Sequence, residues 1–509
     1  MLWIALHLPH LSLQAFAATL TAELRQGPVA LIDNHLVSDV NAAALRLGVK
    51  PGLKRNTALS LAPQLTLGEA DARRDVQARQ ALVHAALAFT PSVTLEGLDV
   101  LLEVRASLRY FGGLPCLLQR LEQALQPLQS SVGEAQIASA PTALGAAYLA
   151  RWRGDLQQGA HTEDPRALAQ LLNRGPVTLL LGPAQARMGA HGDDLQGMGL
   201  RCIADLRQLP RAGLARRFGP QLLADLDSAL GTRPDPRDWE LLPKVFEQRL
   251  ELFARADSTE QVLQGAALLL AQLVVWAQAG HGRVQRFELQ MLHEARHRSD
   301  GPSHTVVEVA LAQASADAAH LQLLLRERLG RATLAAPTLE LRLRCSDLVL
   351  GAPPNEELFP TRQSQQEGML RLIERLQARL GRERVLQLRP QADHRPECAS
   401  RLSPWEPPTS QRRVEEALPS TCLTQPAWLL PEPQPLTERD ACPVLEGQVL
   451  QLLSGPERIE SGWWDGAGVA RDYYIAMRPG GALVWVFRGR LALPVAGKHS
   501  GWFLQGRFA

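Results

Sequence analysis

A multidomain α/β chain, α+β overall, is the fold class this sequence predicts, and three stretches of pattern carry the prediction. Short apolar strands alternate with helices from Leu2 to Trp152, the segment Pro176 to Arg237 is helical throughout, and residues 245 to 345 run strand, helix, strand, strand, helix, strand. With 509 residues, 46 % apolar and 21 % charged, the chain has material for several packed cores. Its 54 basic and 52 acidic side chains leave a net charge of only +2, so any nucleic-acid surface has to be local.

The first strand is the apolar run of residues 2 to 9, and Leu11 to Arg25 follows with Leu13, Phe16, Leu20 and Leu24 on one helical face. Val29 to Ile32 reads as a strand, and Val37 to Leu47 as a small helix stopped by Gly48, with Pro51-Gly52 turning the chain before Thr57 to Ala62. Asp71 to Phe89 is an Ala-rich helix, Leu101 to Val104 a strand, Leu114 to Leu128 a helix, Glu134 to Ala138 a strand and Thr142 to Trp152 a helix. In the helical stretch, Gly199 and Gly219 each stand just before a helix start. Such a turn brings backbone N–H groups within reach of a phosphate, and Arg201, Arg207, Arg211, Arg216 and Arg217 surround the two turns.

Val245 to Leu252, a helix from Thr259 to Gln278, Arg283 to Leu292, Val306 to Leu311, a helix from Ser315 to Leu329 and Leu339 to Leu343 compose the next module. The helix covers one face of the four-stranded sheet this order implies, leaving the other face open, with Arg283 and Arg286 available for a nucleic-acid backbone. Beyond residue 350 come a loop, an amphipathic helix from Gly368 to Leu380, a Pro-rich stretch from 390 to 435 that reads as an extended linker, and an aromatic, strand-rich end. Cys116, Cys202, Cys345, Cys398, Cys422 and Cys442 have neither CxxC nor zinc-finger spacing, which reads as reduced structural thiols. The apolar opening lacks the basic n-region of a signal peptide, and no run is expected to span a bilayer.

Leu45-Arg46-Leu47-Gly48-Val49-Lys50-Pro51-Gly52 resembles the Arg-x-x-Gly-Val-x-x-Gly region of the fingers in Y-family translesion DNA polymerases, and the order of elements over about residues 1 to 350 is similar to theirs. Gly455 to Ile459, Gly462 to Gly466, Arg471 to Tyr474 and Trp502 to Phe508 further resemble the tail of ImuB proteins, polymerase-like subunits of a damage-inducible bacterial mutasome. The resemblance implies a right-hand architecture. Palm would be 1–25 and 69–170, fingers 26–68, helical thumb 171–240 and little finger 243–350; 351–438 would hold a clamp-motif loop, helix and linker, and 439–509 an interaction module.

Where active relatives hold two metal ions, the matching positions are His7, Pro9, Leu98 and Asp99; where they grip the triphosphate, the positions are Ala42, Leu45, Thr142 and Ala146. A two-metal site needs clustered ionised carboxylates that hold the two cations about 3.5 to 4 Å apart. At most one survives here. Strand alternation sets Asp99 and Glu103 on one side with no first-strand partner facing them, and His7 reads as a satisfied core or edge residue. The expectation is therefore no catalysis, no cofactor and no metal. The resemblance further implies backbone contacts to DNA, a sliding clamp bound by Asn355, Leu358 and Phe359, and an ImuA-type RecA-like protein and an error-prone replicative-type α-subunit polymerase as partners. Trp463, Trp464, Arg471, Tyr473 and Tyr474 are the expected partner contacts, in a bacterial cytoplasm. The rivals are an active translesion polymerase with a relocated metal site and a general DNA-binding module.

Overall fold

The computed structural model describes residues 1–152, 160–180, 195, 197–294, 303–350, 362–406, 425–490 and 501–508. These group into two units, Met1–Arg379 and Leu380–Ala509.

The first unit opens with β1 (Trp3–His7), followed by α1 (Leu11–Ala17) and α2 (Ala22–Gln26). The single helix expected over 11 to 25 is broken because the Thr19 hydroxyl donates to the Phe16 carbonyl at 2.8 Å, closing the turn, and Leu24 on the second piece is exposed. Then come β2 (Val29–Asp33), β3 (Leu36–Val40), α3 (Ala42–Arg46), α4 (Arg55–Leu61) and β4 (Thr66–Glu69), in a three-stranded sheet ordered β3-β2-β4. The small helix expected from Val37 is thus a strand in its first half. Asn34 and His35 both adopt positive φ, 49° and 69°, and make the tight hairpin turn that pairs Val37 and Val40 with β2. Asn41 then starts α3, its Oδ1 accepting from Ala44 N at 2.9 Å.

Next are α5 (Ala72–Leu87), β5 (Val93–Glu96), β6 (Asp99–Glu103), α6 (Leu108–Phe111), α7 (Leu114–Leu125), α8 (Gln129–Val132), β7 (Gln136–Ala140) and α9 (Ala143–Arg151). The sheet order is β5-β6-β1-β7, with β1 central and antiparallel to β6 and β7. Even positions of β1 bury Leu2, Ile4, Leu6 and Leu8 with α5 and α7; odd positions face α9. Each such Leu or Ile is worth about 1.5–3 kcal/mol of burial, so the strand's register is firmly set.

Helices α10 (Pro165–Arg174), α11 (Ile203–Arg207), α12 (Arg211–Phe218) and α13 (Pro220–Ala229) share one core with α9. The βαββαβ module is β8 (Phe246–Ala256), α14 (Thr259–Ala279), β9 (Gly282–His293), β10 (His304–Ser315), α15 (Ala318–Leu329) and β11 (Thr338–Leu350), ordered β10-β9-β11-β8. Ser258 and Gln261 form a capping box at the start of α14. By length and composition α14 is apolar enough to cross a membrane, with mean hydropathy 1.6, contrary to expectation; 72 % of that stretch is buried, as befits a core helix. Helix α16 (Arg362–Leu380) docks on this module through Glu374, whose carboxylate accepts from Ala312 N at 2.6 Å and pairs with buried His320 at 2.8 Å.

In the second unit, β12 (Leu386–Pro390) and β13 (Ser400–Pro404) form a hairpin. A seven-stranded antiparallel sheet is built from β14 (Trp428–Arg439), β15 (Cys442–Leu445), β16 (Gln448–Val449), β17 (Gln451–Ser461), β18 (Val469–Met477), β19 (Leu483–Gly489) and β20 (Gly501–Arg507), in the order β16-β15-β14-β20-β19-β18-β17. The stretch read as linker therefore takes in β13, one arm of that hairpin, and most of β14. Three prolines in β14 masked its strand character, although an inner position beside β20 tolerates them across a register shift.

Candidate palm site and nucleic-acid interface

His7 ends β1, and Asp99 begins β6 directly beside it because Leu6 pairs with Val100. The carboxylate of Asp99 is 1 % exposed. Its Oδ1 accepts from His7 Nδ1 at 2.7 Å, and its Oδ2 accepts from Arg151 Nε, also at 2.7 Å. The expectation that nothing on the first strand faces Asp99 is thus corrected, and the reason is plain: β1 odd positions and Asp99 share one sheet face. A buried carboxylate needs a cation. Here a guanidinium at the last turn of α9 supplies it.

The other acidic groups nearby are committed elsewhere. Glu96 pairs with Arg237, which also holds Asp235 at 2.6 Å. Burial works against the Arg237 charge, but the hydrogen bonds it donates to Asp235 and Glu96 outweigh it and raise its pKa. Glu103 accepts from the Leu2 amide at 3.1 Å. Asp225 is pushed up by burial, with Glu96 adding to the effect. Among the described residues no group of three His, Cys, Asp or Glu could hold a metal ion. Pro9 lies exposed in the turn after β1, and Leu98, in the β5–β6 turn, packs partly buried on the opposite core.

Ala42 and Leu45 lie exposed on α3, Leu45 at 51 %, and offer an anion neither charge nor donor. Thr142 instead caps α9, accepting from Gly145 N at 3.2 Å and donating to the Ala229 carbonyl of α13 at 2.6 Å. Ala146 is fully buried between these helices. The position is packing, with no room for a phosphate.

The two expected phosphate turns differ. Gly199 and Gly219 both adopt positive φ, 82° and 84°, and a Cβ at either would meet nothing, so both are open. At the first, Asp205 already accepts from the amides of Arg201 at 2.9 Å and Cys202 at 3.0 Å, and these bonds lower its pKa. That helix end is closed by its own carboxylate. At the second, Gly219 caps α13 without any side-chain bond. Arg216 and Arg217 flank it with no carboxylate partner among the described residues, the latter 5.7 Å from the Phe218 ring. Arg207 bonds neutral Asn173 at 2.6 Å, while Arg211 pairs with Asp227 at 2.5 Å.

On the βαββαβ sheet, Arg286 is shared by Glu308 at 3.2 Å and Asp347 at 3.5 Å. Arg283 lines a cavity of about 550 Å³ with His281, Asp317 and Arg371. Asn355, Leu358 and Phe359 lie outside the described residues. In the second unit, Trp463 and Trp464 are 78 % and 57 % exposed and meet edge to face at 4.7 Å. Arg395 steadies their turn by bonding Asp465 and the Ala467 carbonyl at 2.6 and 3.1 Å. Tyr473, expected at the surface, is 1 % exposed and stacks on Trp485 at 4.2 Å. Arg471 is likewise internal, bonding Glu397 and Tyr473 and covering Phe487 at 4.7 Å, and Tyr474 packs on Trp502. These three are structural, because β18 lies one strand in from the β17 edge.

Arg151 and Arg237 escaped the sequence reading. One signal pointed to Arg151: a lone acid on an apolar strand demands a cation, and α9 carries a single basic residue.

Residues 12–140 match the impB/mucB/samB family. Over 500 residues the chain is 29 % identical to Protein ImuB of Caulobacter vibrioides, in both strain NA1000/CB15N and strain ATCC 19089, covering 91 % of this chain and 100 % of that protein. Among solved structures it is similar to the insertion ternary complex of Dbh DNA polymerase, at 15 % identity and TM-score 0.38 over 69 % of this chain and 100 % of that one. A Dbh ternary complex with partially disordered substrates gives 14 % and 0.37 over the same shares.

Proposed function

The chain belongs to the ImuB family, and from that premise we propose that it is a polymerase-shaped adaptor without polymerase chemistry, acting in error-prone translesion synthesis after DNA damage. In this reading residues 1–25 and 69–170 are the palm, 26–68 the fingers, 171–240 the thumb and 243–350 the little finger, while the C-terminal unit presents a partner surface.

One observation carries the proposal: both oxygens of Asp99 are spoken for by His7 and Arg151. Metal ions that hold a transferring phosphoryl group contribute several kcal/mol, and each ~1.4 kcal/mol is tenfold in rate. A cation built from protein neutralises the carboxylate but offers no open coordination position to a phosphate or a 3′-hydroxyl. What remains is shape, the Arg216–Arg217 turn for a DNA backbone, and exposed aromatic side chains for proteins.

The adaptor would join primer-template DNA, a sliding clamp through Asn355, Leu358 and Phe359, an ImuA-type RecA-like protein and a separate error-prone polymerase. Trp463 and Trp464 are the contacts to test first, since they are large, exposed and held in a turn by Arg395. Immobilised full-length chain should retain an error-prone α-subunit polymerase or a RecA-like partner, and Trp463→Ala/Trp464→Ala should release it. Retention of neither by the unaltered chain counts against the adaptor and favours a plain DNA-binding module.

A further inference from the structure

Helix α16 is apolar on two sides, and only one of them is covered. Ile373 and Ala378 are buried, and Ala378 belongs to the core of the βαββαβ module. Glu374 sets the roll of the helix: one carboxylate oxygen accepts from the amides of Ala312 and Gln313 at 2.6 and 3.0 Å, and the other meets buried His320 at 2.8 Å. With that side fixed, Met369, Leu372, Leu376 and Leu380 are left 58, 52, 37 and 46 % exposed. Their spacing sets them on a single stripe, about 16 Å long at the α-helical rise. Arg371, Arg375 and Arg379 recur at every fourth position, so they form a row along one flank of that stripe. Arg371 rests on Asp317 at 3.3 Å and Arg375 on Glu327 at 3.6 Å, both guanidiniums still half-exposed. Pairs this exposed hold their arginines weakly. Arg379 has no carboxylate partner among the described residues.

We propose that this stripe is the docking site for an amphipathic helix of another protein, apolar on one face and edged there by Asp and Glu. The proposal goes beyond the adaptor reading, because it concerns a different element from the Trp463–Trp464 turn. Four large apolar side chains on a helix that cannot roll them inward forfeit burial, which a second helix would recover. The occupant is a helix because a straight stripe of near-helical period offers a row of holes to the apolar side chains of a facing helix. The arginine row selects its charge, since acids on the facing flank would meet three guanidiniums. A second copy of this chain fits badly. Antiparallel self-pairing sets the arginine row against itself, and parallel self-pairing sets it against the flank of Ile373, which is already buried.

The test is anisotropy of fluorescein-labelled helical peptides of equal length, titrated with the full chain. One peptide has a leucine seam flanked by Glu, one the same seam flanked by Lys, and one a serine seam flanked by Glu. The first should bind and the other two should not. Leu372→Ser/Leu376→Ser should weaken the first by about tenfold or more per leucine. Arg371→Glu/Arg375→Glu/Arg379→Glu should reverse the preference and bind the Lys-flanked peptide, a gain that only a folded variant can make. No binding of the Glu-flanked leucine peptide, equal binding of both charged leucine peptides, an unreversed preference in the charge variant, or binding untouched by Leu372→Ser/Leu376→Ser overturns the proposal. Self-association of the unaltered chain that Leu372→Ser/Leu376→Ser abolishes also overturns it, because a second copy would then cover the stripe. Trp463→Ala/Trp464→Ala should leave peptide binding as it is, so that failure of the adaptor reading and failure of this proposal are told apart.

Discussion

Replacing Arg151 by Met keeps most of the side chain's stem and removes its charge, which isolates what the guanidinium does for Asp99. In the structure Asp99 is 1 % exposed and Arg151 14 %, with Nε 2.7 Å from Oδ2. Losing one partner of a pair buried to this degree costs about 3–5 kcal/mol, because the other charge stays behind in a medium that solvates it poorly. Removing both charges, as in Arg151→Met with Asp99→Asn, costs much less than the two single changes together, giving a coupling energy of about 2 kcal/mol or more. A chain of two units need not unfold in one step, so hydrogen exchange at the amides of β1 and β6 is the suitable reading, with the free energy of local opening compared among the four proteins. A loss below about 1 kcal/mol for Arg151→Met, or simple additivity, refutes the claim that Arg151 neutralises the buried Asp99.

Other consequences follow from single positions. His84 on α5 is 1 % exposed, its Nδ1 has no hydrogen-bond partner among the described residues, and burial lowers its pKa from 6.5 to about 4. The unfolded chain takes up that proton first, so stability is complete above pH 6.5 and falls by about 1.4 kcal/mol per unit down to pH 4; His84→Leu should flatten that limb of a pH-dependent urea titration. A Cβ added at Gly145 would meet the Thr142 hydroxyl, Leu168 Cδ2 at 2.8 Å and the Ala229 carbonyl at 3.1 Å. Gly145→Ala should therefore force α9 and α13 apart and cost about 1–3 kcal/mol by denaturation. Burial pushes the Cys345 thiol up to about 11. Iodoacetamide at pH 8 followed by peptide mapping should label Cys116, Cys202, Cys398 and Cys442 well before Cys345.

How much of this was legible in the sequence depended on whether a feature was periodic or pairwise. The βαββαβ module reads directly from its alternation, because Leu289, Met291, Leu341 and Leu343 must all face the same helices. The Asn34-His35 hairpin turn was hidden, since only the positive φ of both residues distinguishes it from a loop before a helix. Prolines in β14 imitated a linker. At the candidate site, a lone Asp99 on an apolar strand could be read from the residues, whereas its pairing with Arg151 could not: it joins positions 52 residues apart through the packing of α9 on β6. The same limit explains Tyr473 and Arg471, whose aromatic and cationic character fits a partner surface and a core equally well until strand order is known. Asp205 is another case, because a carboxylate three residues after a helix start reads as solvated until its bonds to the Arg201 and Cys202 amides are seen.

The central claim is that the palm-like sheet holds a closed ion pair where a polymerase holds its metals. Primer extension tests it most directly, using purified full-length chain with Mg²⁺ or Mn²⁺, all four nucleotides and a labelled primer-template, beside an Asp99→Ala control. The account predicts no extension by either protein. Template-directed synthesis by the unaltered chain that Asp99→Ala abolishes would contradict it.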